Sequence, residues 1–203
     1  MKLEFREIEA IFSARYGIVT DHEKAFRGRL QHLQRLGFPE GVNTGKGKKA
    51  IYGWKQFIQL SLVLDLIDLG IAPDAATTMI KSHWGYIELE TAKLAETIGG
   101  VAALATAISA ETCPLEKSVI VVLDYGAISS LNGIAAAPSL APMSGGAFVD
   151  KIKERNPYLA SFVGIDLTVR LLLSINIMRM QTFQTPEAVA RDMAEWGTSN
   201  GKR

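Results

Sequence analysis

Apolar positions recur at helical spacing through the first half of the chain and gather into short unbroken runs in the second. Phe5, Ile8, Ile11 and Phe12 form one stripe over residues 3–16, the pattern of an amphipathic helix that Arg15-Tyr16-Gly17 ends. Phe26, Leu30, Leu33 and Leu36 form the next stripe, over 21–36. Thr20 or Asp21 is placed to cap that helix, because their side-chain oxygens accept from the free amides of a first turn. Gly37 supplies a left-handed stop, and Pro39 keeps the helix from resuming. Residues 54–69 are apolar nearly all round, which predicts a central buried helix ended by Gly70. Pro73 then opens a fourth helix that runs to about Trp84.

The segment between the second and third helices reads differently. Gly41, Gly45 and Gly47 permit tight turns and close approach of backbone to another surface. Val42 before them, and Ile51 and Tyr52 after them, are strand-type residues, so a small two-stranded hairpin with a lysine-bearing tip is predicted over 39–52. Beyond Gly85, the positions Ile87, Thr91, Leu94, Ile98, Val101, Ala105 and Ile108 alternate by four and three, a heptad seam interrupted by Gly99-Gly100. Two readings stay open there, a dimer helix and an ordinary core-packing pair.

Val119-Ile120-Val121-Val122-Leu123 is a continuous β-branched run typical of a buried strand. Residues 132–147, rich in Gly, Ala, Pro and Ser, read as a long loop. A short helix over 148–154, a strand over 162–167 and a helix over 168–182 are predicted next. Thr185 and Pro186 open a last helix that Gly197 ends, with a disordered tail after it. The chain is therefore mainly α with some β, an α+β protein. A first unit over residues 1–84 is followed by a small α+β unit over 85–203.

Charge sharpens the picture. Residues 15–55 carry nine basic groups against three acids, a surplus of six in a chain whose net charge is +1. That local excess is the electrostatic footprint of a polyanion partner. On the second helix, at about 100° per residue, Lys24, Arg27, Gly28, Gln31 and Arg35 share the face opposite the apolar stripe. Arginine pairs bidentately with guanine and glutamine with adenine, so Arg27 and Gln31 suit base edges. Lys24 and Arg35 suit phosphates, and Gly28 removes a side chain that would hold the helix off a groove. Asn43, Lys46, Lys48, Lys49 and Tyr52 are the candidate contacts of the hairpin. Double-stranded DNA is the expected partner.

Residues 15–84 resemble the winged helix-turn-helix domain of the MerR family of transcription regulators. Arg35-Leu36-Gly37-Phe38 matches the turn after the recognition helix, and Lys48-Lys49-Ala50-Ile51-Tyr52 the closure of the wing. Phe57, Leu60, Leu64 and Leu69-Gly70-Ile71 follow in register, and Pro73-Asp74-Ala75-Ala76 opens the last helix. The chain departs from the family at Gln31-His32-Leu33, where an arginine followed by aromatics is usual, and at Ala50, where the wing arginine falls. The resemblance implies DNA binding as a homodimer, through a major-groove helix and a wing.

Little points to catalysis. His22, His32 and His83 are not spaced with Cys or carboxylates as metal ligands would be, and one cysteine, Cys113, rules out both an intrachain disulfide and a multi-thiolate metal site. Acidic neighbours Glu111 and Glu116 disfavour a reactive thiolate at Cys113. Asp124 and Asp166 end predicted strands, where caps and turns use them more often than catalysis does. The expectation is a non-enzymatic regulator with no cofactor or metal, at home in the reducing cytoplasm and without a membrane span, its effector unspecified. The alternative is an architectural or excisionase-like DNA-binding protein of a mobile element.

Overall fold

The computed structural model describes residues 1–42, 49–124, 139–153 and 162–200. It opens with a two-residue strand β1 (Leu3–Glu4) and helix α1 (Phe5–Arg15), whose Ile8, Ile11 and Phe12 are buried as the stripe requires. A 3-10 turn (Thr20–His22) leads into α2 (Glu23–Arg35). Neither Thr20 nor Asp21 caps it: the tight turn runs straight into the helix, His22 takes the cap position in helical conformation, and no side chain bonds the first amides. At the other end Gly37 adopts φ +69°, and the amides of Gly37 and Phe38 donate back to Gln34 and Leu33. That left-handed closure favours glycine because it has no Cβ.

Strand β2 (Ile51–Tyr52) pairs antiparallel with β1, Leu3 opposite Tyr52 and Glu4 opposite Ile51. The predicted hairpin partner, Val42, lies in no strand, so the N-terminal segment takes the place assigned to it. Helix α3 (Trp54–Asp68) is the central element, with every residue from Phe57 to Leu66 buried. Its ring at Phe57 lies 5.4 Å from that of Phe12 and packs edge-on against Trp54.

Helix α4 (Pro73–Ala92) runs unbroken through the division predicted at residue 84. Short α5 (Leu94–Ile98) and α6 (Val101–Ala110) follow, separated by Gly99 and Gly100 at φ +121° and +99°. The heptad positions therefore belong to three helices. Ile87, Thr91, Leu94, Ile98, Ala105 and Ile108 are buried inside this chain's own core, which settles the two readings in favour of core packing.

The rest is an antiparallel sheet of β3 (Val119–Asp124), β4 (Ser139–Ser144) and β5 (Phe162–Asp166), in the order β4–β3–β5 among the described residues. Part of the predicted 132–147 loop is thus strand β4 and the start of α7 (Gly145–Lys153). Side chains alternate across the sheet. Val119 and Val121 join the main core, whereas Ile120, Val122 and Met143 form a second cluster under Phe148 of α7. Asp166 ends β5 and caps α8 (Leu167–Gln181), its Oδ1 accepting from the Val169 amide at 3.0 Å.

Helix α9 (Pro186–Asn200) continues past Gly197, the predicted stop, into the segment expected to be disordered. Gly197 instead lets α9 close on α4: a Cβ there would lie 2.1 Å from the Ala92 carbonyl oxygen. The Trp54 indole donates to Asp192 of α9 at 3.0 Å. One hydrophobic cluster runs from Leu3 to Met193, so the two predicted units share a core. No described helix is long and apolar enough to cross a membrane.

Candidate nucleic-acid interface

Phe26, Leu30 and Leu33 seat α2 on the core, and this fixes which face it turns outward. Lys24, Arg27, Gln31 and Arg35 are all exposed there. Gly28 sits among them half-buried, and a Cβ built on it would meet nothing within 4 Å. The missing side chain is therefore not demanded by packing.

Strand β2 is tied to the flank of the same helix. Gln34 Nε2 donates to the Tyr52 hydroxyl, joining α2 to β2. Tyr52 is only 1% exposed, and burial raises its phenol above the ordinary value. This corrects its place among the candidate contacts. The ring is a core residue that joins β2 to α2, and it is not placed to touch a duplex. Lys49 is exposed and pairs with Glu4 of β1 at 2.9 Å, both side chains being largely in solvent. Such a solvent-exposed pair is worth little.

The outgoing arm of the loop is tied to α3. The Glu40 amide donates to buried Gln59 at 3.2 Å, Gln56 donates to the Glu40 carbonyl at 2.9 Å, and Lys55 meets the Glu40 carboxylate at 3.1 Å. Asn43, Lys46 and Lys48 lie outside the described residues.

Two acids missed in the sequence shape this region. Arg27 Nε donates to Glu9 Oε1 of α1 at 2.8 Å; the Arg27 side chain is 56% exposed and that of Glu9 12%. That hydrogen bond, reinforced by the charge of Glu9, raises the Arg27 pKa above its ordinary value. Asp65, in the middle of α3, gathers a second set. Its carboxylate accepts from Arg15 through both oxygens at 2.7 Å, from the Tyr16 hydroxyl at 2.8 Å and from Arg170 Nε of α8 at 3.0 Å. Arg15 also donates to Ser61 at 2.6 Å. Burial pushes the Tyr16 phenol well above its ordinary value, so it serves as a neutral donor.

Arg15 is fully buried, which trims the surface field inferred from the basic count along residues 15–55. The Asp65 cluster instead joins α1, α3 and α8, the framework behind α2. A cavity of about 250 Å³ opens beside it, lined by Asp65, Asp68, Leu69, Ile165, Val169 and Arg170. Cys113 is half-buried against the core, and burial raises its thiol pKa. Among the described residues no group of three or more His, Cys, Asp and Glu is placed to hold a metal ion.

No protein-family model, curated protein or solved structure matches the chain.

Proposed function

We propose that the chain is a sequence-specific DNA-binding transcription regulator of the MerR type, acting as a homodimer. The observation that carries this reading is the Gln34–Tyr52 hydrogen bond. It ties α2, whose Lys24, Arg27, Gln31 and Arg35 are exposed, to strand β2, which exposed Lys49 precedes. In this reading α2 enters the major groove, Arg27 and Gln31 meet base edges, and Lys24, Arg35 and the wing lysines meet phosphates. Two copies read half-sites one helical turn apart or a multiple of it. The dimer surface lies outside the 87–108 stripe, which is spent within the chain.

Arg27→Ala is the direct test. It is expected to weaken binding to a selected duplex by about 1–3 kcal/mol and to relax base preference at the position Arg27 reads, as measured by fluorescence anisotropy. Unchanged affinity and preference would remove α2 as the reading helix.

Gly28→Ala separates function from fold. Alanine in a helix interior is favoured over glycine by about 0.5–1 kcal/mol, and nothing stands in the way of the methyl group. The unfolding midpoint should therefore rise while duplex affinity falls, because the methyl group projects toward the groove. A rise in stability with affinity unaltered would mark that face as plain solvent-exposed surface.

A further inference from the structure

An acid beside a DNA-reading arginine needs a reason. Duplex DNA is a polyanion, so a carboxylate on the binding side opposes association with every sequence equally. Glu9 is nevertheless positioned there. It projects from α1, next to the buried Ile8, with its side chain 12% exposed, and receives Arg27 Nε at 2.8 Å. The neighbouring Lys49–Glu4 pair is of another kind, with the two side chains 78% and 50% exposed and little to hold them in one geometry.

The difference lies in which guanidinium atoms are used. Arginine carries five N–H donors in a planar fork. Glu9 takes the one on Nε, at the inner edge. The two terminal nitrogens take no partner among the described residues, on a side chain 56% exposed, and remain a matched pair of donors. Bidentate recognition of guanine needs such a pair, directed at O6 and N7. A free arginine side chain samples many rotamers and loses that freedom on binding. One clamped at Nε by a carboxylate on a second helix has lost it already.

We infer that Glu9 is a positioning residue that buttresses Arg27, fixing the outer edge of its guanidinium for a guanine and so trading general affinity for base discrimination. This rests on the DNA-binding reading above and names the base that reading leaves open. The inner clamp and the outer fork act as one unit, and the specificity of α2 at this position depends on a residue of α1.

The test uses the full-length protein and the duplex that the wild-type chain enriches from a random-sequence pool. Each position of that duplex is then substituted in turn, with poly(dA-dT), which offers no guanine-like O6 and N7 pair, as the non-specific probe. Wild type should prefer guanine at one position per half-site, and Arg27→Ala should lose that preference. Glu9→Ala should lose it too, by about tenfold or more, while its affinity for poly(dA-dT) stays level or rises because a negative charge has gone. Glu9→Gln retains an acceptor oxygen for Nε and should keep the same guanine at reduced strength.

A Glu9→Ala protein that keeps the full guanine preference overturns the buttress and leaves the DNA reading intact. So does one that weakens on the selected duplex and poly(dA-dT) alike, the mark of a merely structural tether between α1 and α2. If Glu9→Ala does not fold, a Glu9→Gln protein with wild-type discrimination and affinity for both probes overturns it as well. A wild-type chain that enriches nothing from the pool overturns the DNA reading and the buttress with it.

Discussion

Replacing Asp65 by alanine is expected to cost the fold about 3–5 kcal/mol, the range for leaving a buried charge without its partner. Arg15 has no access to solvent, and its main counter-charge is this one carboxylate. Without Asp65, the guanidiniums of Arg15 and Arg170 face each other across the space it occupied, and the Tyr16 hydroxyl loses its acceptor. Arg170, whose side chain is 37% exposed, can turn to water, but Arg15 cannot. Domains of this kind are stable by about 5–15 kcal/mol in total, so the loss takes a large share. Urea denaturation followed by circular dichroism would show it as a lower midpoint at similar slope. A loss below about 1 kcal/mol would mean that water reaches Arg15, which the packing of α1 on α3 and α8 forbids.

Removing Lys24, Arg35 and Lys49 together, each to alanine, is expected to cut DNA binding by about three decades at 0.1 M salt. Each phosphate contact contributes a slope of about 0.9 in the logarithmic dependence of affinity on salt. Three contacts are then worth roughly 3–4 kcal/mol at that salt. The slope itself should fall by about three units across a salt titration. All three side chains are exposed, so the unfolding midpoint should hardly move. A slope equal to that of wild type would show that none of them neutralises a phosphate, whatever the affinity did.

The two outcomes concern different parts of the fold, and the sequence exposed those parts unequally. Local patterns were easy to read. The stripe of Phe26, Leu30 and Leu33 located α2, the run of Val119 to Val122 located β3, and the all-round apolar character of 54–68 located α3 as the buried centre. Their periodicity follows from the element alone. The partner of a stripe does not. The 4-3 spacing from Ile87 to Ile108 fits a dimer seam as well as a core, and only the break at Gly99-Gly100 and the approach of α9 show that it is a core.

Strand β4 was hidden by its composition. Pro142 and its small neighbours read as loop, but among the described residues β4 lies at the sheet's edge, paired with β3, and an edge strand tolerates a residue without an N–H. The hairpin was misjudged for a similar reason. Ile51 and Tyr52 do form a strand, and its partner lies nearly fifty residues away in sequence at Leu3 and Glu4.

The candidate site divides the same way. The exposed face of α2 follows from its helical period, so Lys24, Arg27, Gln31 and Arg35 were legible and are exposed as expected. Tyr52 was not, since nothing local distinguishes a strand residue turned toward DNA from one turned toward the core. Glu9 and Asp65 were invisible as functional groups because their partners are 18 and 50 residues distant. An acid set between leucines inside an apolar helix was the available signal for Asp65, since such a group must be paired to be buried.

The account stands most directly on whether the wild-type chain selects duplex DNA. Purified full-length protein should enrich from a random-sequence pool one motif made of two inverted half-sites, their centres about one helical turn apart or a multiple of it. A pool that stays random after repeated rounds, or that binds with no half-site pattern, would contradict the regulator reading.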